Sequence, residues 1–291
     1  IKGKIYEDAK QQTYPEKLFP KLKNLIRSAG SITDAELARI VVVPPKDSAL
    51  YEEVPSLERY LYTARWSMAS TLSNTAIIED QLRKNPDTNL VMTYFDGSDT
   101  LAHRFWLMRQ SEEQIRTRLR NQGFNPDIAA ELKNRFGGII DNYYELVDEM
   151  LARIMVAAGP NATIMVISDH GWEDLNLDKV IHKSVPFDGR HSLKGAMIAS
   201  GPHIKAGTFS DRTLYDITPT ALYLMGVSVP GDLPGDIALD IISEPFKRHF
   251  PPMMLAKGTK KFVTPTANQP QTDTHFHETE IERLKSLGYV Q

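Results

Sequence analysis

The sequence predicts an α/β protein built on a parallel sheet, from three observations. NLVMTYF (89–95), TIMVIS (163–168) and GAMIAS (195–200) are continuous apolar runs bounded by polar or turn residues, as strands covered on both faces require. Segments of helical periodicity alternate with them, the pattern of a parallel sheet flanked by helices. The first two runs lead into Asp96-Gly97-Ser98-Asp99 and Asp169-His170-Gly171, polar groups at the carboxyl ends of strands, where open parallel sheets carry their functional loops.

Each element follows from the local pattern. Residues 1–60 are charged and broken by Pro15, Pro20, Pro44, Pro45 and Pro55, so they read as a peripheral or cap region; its one apolar run, ARIVVVPP (38–45), predicts a short strand. From Leu61 to Arg83 the breakers vanish, and Trp66, Met68, Leu72, Ala76, Ile77 and Leu82 recur at helical spacing until Asn85-Pro86-Asp87. The stretch 127–158 predicts one long helix whose stripe is Ile140, Tyr144, Val147, Leu151, Ile154, Met155 and Ala158, stopped by Gly159-Pro160. DITPTALYLMG (216–226) predicts a helix with Asp216 or Thr218 as N-cap, Pro219 in the first turn and Gly226 past its end. Residues 264–277 read as an exposed arm, and ETEIERLKSLGY after it as a short amphipathic helix ended by Gly288.

With 291 residues, 41% of them apolar, the chain can bury a core. Lys and Arg (34) nearly balance Asp and Glu (37), which argues against a polyanionic partner such as a nucleic-acid polymer. The absence of cysteine removes disulfides, thiolate nucleophiles and Cys-type zinc sites, so a metal here sits on oxygen and nitrogen. No apolar run approaches the roughly 20 residues that span a bilayer, and no signal-peptide pattern opens the chain. It begins at Ile1 instead of Met, which suggests a processed or truncated product.

The chemistry concentrates at the strand ends. Asp99 and His103 are four residues apart and share one face if a helix begins at Ser98. Asp169 and His170 are adjacent and leave a strand on opposite sides, so they meet one ion only if the backbone turns, which Gly171 permits. Taken singly, each pair is more often an N-cap and a surface imidazole. A third histidine, His191, just before the third run, turns two weak signals into a candidate metal site. Mixed carboxylate and imidazole ligands suit zinc or manganese, whereas calcium and magnesium prefer oxygen alone. Phe105, Trp106 and Trp172 flank these residues as an apolar wall for a substrate's leaving group or as core; Lys194 and Arg190 are candidate phosphate contacts or solvated charges. His203 and His249 read as surface groups, and His275 and His277 as part of a solvated tail.

The blocks NLVMTYFDGSDTLAHRFW, DNYYELVDEMLARIM, TIMVISDHGW, GRHSLKGAMIASGPHIKAG and LYDITPTALYLMGVSVPGDLPGD, in this order, resemble the type I phosphodiesterase/nucleotide pyrophosphatase family of the alkaline phosphatase superfamily. The resemblance covers about 60–240, the metal-site core. It implies an alkaline-phosphatase-like three-layer sandwich, a mostly parallel central sheet flanked by helices. It also implies two divalent metal ions, usually zinc with manganese as the second choice, about 4 Å apart so that both contact one phosphoryl group. Carried over position by position, Asp99, His103 and His191 hold one ion and Asp169 and His170 the other. His191 is preferred to His182 in the same loop because GRHSLKG directly precedes the third run and matches the family block. Asp96 is expected behind His103 or His191, orienting it.

The remaining ligand and the nucleophile, an aspartate and a Thr or Ser at a helix start, belong to a family segment that does not appear before residue 60. Residues 1–291 therefore read as the C-terminal portion of one catalytic domain, with 264–291 as its arm and terminal helix. The implied reaction is hydrolysis of a phosphodiester or pyrophosphate bond in a small phosphate ester or nucleotide-like substrate, through in-line attack by the Thr or Ser and a covalent intermediate. The alternatives are phosphomonoesterase, sulfatase or phosphoglycerate-mutase chemistry on the same cradle, or a non-catalytic relative that binds metal or phosphate. Exported relatives tilt the expected location toward the periplasm or the exterior.

Overall fold

The structure is a computed structural model and describes residues 13–174, 187–209 and 211–256. The chain divides into two compact units, Ile1–Pro202 and His203–Gln291.

The first unit is mostly helical. Short helices α1 (Phe19–Leu22), α2 (Asp34–Leu37) and α3 (Leu50–Glu53) lead into α4 (Leu57–Lys84). After the irregular segment 89–95 come α5 (Gly97–Phe105), α6 (Glu112–Asn121), α7 (Ala129–Phe136) and α8 (Ile139–Ala158). The core forms where α4, α5 and α8 pack together, through Leu57, Tyr60, Ala64 and Met68, then Leu101 and Phe105, then Ile140, Tyr143 and Met150. The buried face of α4 continues past its apolar residues through Ser67, Thr71 and Thr75. Such hydroxyls are tolerated inside a helix because they bond to the carbonyl one turn back: Thr75 Oγ1 donates to Thr71 O at 2.9 Å and Ser73 Oγ to Ala69 O at 2.6 Å. Thr71 Oγ1 lies 2.6 Å from the Tyr143 hydroxyl, pairing two polar groups across the core.

Three strand expectations meet different outcomes. TIMVIS and GAMIAS form β1 (Ile164–Ser168) and β4 (Ala196–Ser200), but the two pair antiparallel, Ile164 opposite Ser200 and Ser168 opposite Ala196. Between them β2 (Gly171–Glu173) and β3 (Arg190–Ser192) form a second antiparallel ladder. NLVMTYF forms no strand and joins no ladder among the described residues; Leu90, Val91, Met92 and Tyr94 are exposed. ARIVVVPP is likewise no strand: Ile40 and Val41 drop into the core while Pro44 and Pro45 lack the N–H groups a ladder needs. The mostly parallel sheet is thus not what the described residues form, because apolar runs encode burial or extension but not their partner.

The expected helix over 127–158 is two, broken at Gly137-Gly138, and its buried stripe is rotated. Ile140, Tyr143, Leu146, Met150 and Ile154 are inside, whereas Tyr144 and Met155 face out. The long apolar run allows either stripe by periodicity, and the packing against α4 and α5 selects one.

In the second unit α9 (Ile217–Leu224) follows Asp216 as expected, and Gly226 past its end has φ 71°. Asp216 is held below the usual carboxylate range by the backbone N–H groups of Thr213 and Asp236. β5 (Val229–Pro230) pairs parallel with β6 (Met254–Leu255), and Phe246 of α10 (Glu244–His249) packs on Tyr223, whose hydroxyl donates to Phe250 O at 2.6 Å. The C-terminal arm and helix, and His182, His275 and His277, lie outside the described residues. No helix among the described residues is long and apolar enough to cross a membrane.

Candidate metal centre

The site lies wholly within the first unit and is assembled by α5, the β1–β2 corner and β3. Asp96 stands at the N-cap position of α5, so Asp99 falls in the first turn and His103 one turn on. Both are buried, with His103 Nε2 3.7 Å from Asp99 Oδ1. After β1 the chain turns through Asp169 and His170 into β2. A methyl group on Gly171 would meet Lys194 O at 2.5 Å, so the corner closes only with glycine there. The β2–β3 register sets Trp172 opposite His191.

These elements converge on one atom. Asp99 Oδ1 has His191 Nε2 at 3.2 Å, His170 Nε2 at 3.4 Å and His103 Nε2 at 3.7 Å around it. His103 Nε2 and His191 Nε2 are themselves 3.1 Å apart, and the His170 and His191 rings stack at 3.9 Å. The ligand atoms of Asp99, His170 and His191 all lie within 4.8 Å of one another. Asp99 Oδ1 is buried and accepts no hydrogen bond of good geometry among the described residues. An unsatisfied buried carboxylate oxygen is costly, and so are facing nitrogen lone pairs, unless a proton or a cation sits between them. Ligand atoms of one small metal ion stand roughly 3–4 Å apart, so the Asp99, His170 and His191 group could hold a metal ion.

The imidazoles are arranged as ligands are. Carboxylate and carbonyl oxygens only accept, so His103 Nδ1 donates to Asp188 Oδ1 at 2.9 Å and His170 Nδ1 to Gly171 O at 3.1 Å. Both Nε2 lone pairs are then left for the cluster. Burial, with His170 and His103 beside it, pushes His191 below the usual imidazole range against the opposing pull of Asp99, favouring the neutral ring that can ligate. Trp172 walls the cluster edge-on, 4.8 Å from both His103 and His191 and 5.9 Å from His170. Trp106 packs on it at 5.6 Å, with its Nε1 donating to Asp174 at 2.8 Å.

The remaining expected residues are less central. Asp169 is half exposed, its carboxylate 3.8 Å from His170 Nε2 at the margin of the cluster. Lys194 is exposed and donates its backbone N–H to Ser192 Oγ, while Arg190 pairs with Glu173 across the ladder. Asp96, expected behind a histidine, accepts from Ser70 Oγ at 3.4 Å. The partner of His103 Nδ1 is Asp188, which sequence reasoning passed over. Its signal was a carboxylate three residues before His191 in the same loop.

The chain's relatives bear on this arrangement. The sequence model of the family described as "Type I phosphodiesterase / nucleotide pyrophosphatase" matches residues 27–221, a span that contains every residue of the cluster. Neither a curated protein nor a solved structure gives a significant match to the chain. A match over two thirds of the sequence settles the family: the chain belongs to the type I phosphodiesterase/nucleotide pyrophosphatase family of the alkaline phosphatase superfamily, which carries an alkaline-phosphatase-like α/β fold.

Proposed function

We propose that this protein hydrolyses phosphodiester or pyrophosphate bonds in a small phosphate ester or nucleotide-like substrate, at a centre of two divalent metal ions. The family supports hydrolysis of this class. The observation that carries the metal reading is the buried, unsatisfied Asp99 oxygen ringed by three imidazole nitrogens. Asp99, His103 and His191 would hold one ion, with His170 and the half-exposed Asp169 on the side of a second. Zinc is the first choice and manganese the second, since the donor set mixes nitrogen with oxygen. Bound there, such ions supply charge neutralisation of phosphoryl oxygens and Lewis acidity.

The chain's own groups define the rest. Trp172 and Trp106 exclude water from one side and offer an aromatic face to a leaving group. Lys194, exposed beyond β3, is the candidate contact for substrate phosphate oxygens. The nucleophilic Thr or Ser of the family's reaction is not assigned to any residue here. The exposed run 89–95 has the composition of an inner strand, and strands on either side of it would complete the mostly parallel central sheet expected of the family.

The test is metal content together with turnover. Zinc should give anomalous X-ray scattering between Asp99 and the three imidazoles. Hydrolysis of bis-p-nitrophenyl phosphate by the full-length gene product should fall by about a hundredfold or more in Asp99→Ala, the loss expected when a metal's charge stabilisation is removed. Protein that takes up no divalent cation, or that turns over normally without Asp99, would overturn the reading.

A further inference from the structure

We propose that Asp188 is a positioning residue for His103, fixing its imidazole in the Nδ1–H tautomer so that the Nε2 lone pair is presented to Asp99 and His191. The inference deepens the metal-centre reading and rests on it for its consequence, though not for its geometry.

Four contacts place Asp188 independently of any ion. Phe187, buried in the core, makes an edge contact with Tyr60 at 6.2 Å, and its carbonyl accepts from Leu107 N–H at 3.0 Å. Gly189 lies flat on the tryptophan pair, where a methyl group would come 2.5 Å from Trp106 Cγ and 2.9 Å from Trp172 Cε3. Between these two seated neighbours, the Asp188 carboxylate meets His103 Nδ1 at 2.9 Å. The His103 ring is held from its other face by Trp172.

The alternative, that Asp188 handles substrate, does not match its surroundings. The cavity it lines with Trp106, Leu107, Gln114 and Arg118 is small, about 50 Å³, room for a few waters. Arg118, 2% exposed, and Arg104 lie within electrostatic reach of its carboxylate. A carboxylate behind a ligating histidine raises the basicity of the far nitrogen, and losing one weakens metal binding by about 10–100-fold.

The experiment uses the full chain with ¹⁵N-labelled histidine, His103 assigned by comparison with His103→Gln. In metal-free protein the long-range ¹H–¹⁵N spectrum should show His103 protonated at Nδ1, and Asp188→Ala should shift it toward Nε2–H, the form preferred in free solution. Zinc affinity, read by competition with a chromophoric chelator, should fall about 10–100-fold in Asp188→Ala. Asp188→Asn, which keeps an acceptor and covers the case in which the alanine variant fails to fold, should retain the Nδ1–H tautomer and recover part of that affinity. An unchanged tautomer in Asp188→Ala, Nε2–H in the wild type, or zinc affinity unaltered by either variant overturns the proposal. Wild-type protein that shows the Nδ1–H tautomer but binds no zinc removes the metal-centre reading and leaves the positioning role standing.

Discussion

Glycine 189 shows how much of the centre depends on single atoms. Its Cα hydrogen faces two indole rings that leave no room for a methyl group, so Gly189→Ala must push the Asp188–His191 loop off Trp106 and Trp172. The expected result is a folded protein, by circular dichroism, whose zinc affinity is about 10–100-fold weaker, since His191 and the support of His103 move together. Some of the site was legible at this scale. Asp99 and His103 could be paired from their spacing because helical periodicity is written in the local sequence. Asp188 and His103 are 85 residues apart and share no pattern, and only folding makes them neighbours.

At the scale of elements, α2 shows a charged cap with a measurable pH signature. Thr33 and Glu36 form a reciprocal capping box, and the Arg27 guanidinium grips both Glu36 oxygens, at 2.7 and 3.1 Å. Chiefly the Arg27 hydrogen bonds, with the Thr33 N–H, hold the Glu36 carboxyl down at about 2. A folded-state value below the unfolded one contributes stability above the unfolded carboxylate range, and that contribution is lost as pH falls toward about 2. Glu36→Gln should therefore lower Tm by roughly 1–3 °C near neutral pH, the modest size reflecting a partly exposed pair. The difference should close on acidification; a gap that widens in acid would contradict the assignment. Elsewhere, elements were read with uneven success. α4 and α9 followed from periodic runs and clear stops, whereas 89–95 reads as a strand in composition and joins no ladder among the described residues, because ladder pairing is a non-local property.

For the molecule as a whole, the proposed centre, tying α5, β2 and β3 together, would couple metal occupancy to stability. Zinc at about a thousand times its Kd should add ~4 kcal/mol to the folded state, a rise in Tm of roughly 8 °C or more, reversed by chelator. Asp99→Ala should abolish the rise while leaving the metal-free transition nearly unchanged or higher, since it deletes an unsatisfied buried oxygen. A Tm indifferent to zinc in the wild type would contradict the coupling. By itself the sequence determined which residue types were available for chemistry, the long helices with their ends, and the family, because these follow from local pattern and from an ordered set of motifs. The tertiary structure alone decided that His170 joins Asp99, His103 and His191 around one oxygen atom, that β1 and β4 run antiparallel, which stripe of α8 faces inward, and that Asp188 stands behind His103. Those are contacts between distant segments, chosen by packing and by the need to satisfy buried polar groups, and no local pattern of residues specifies them.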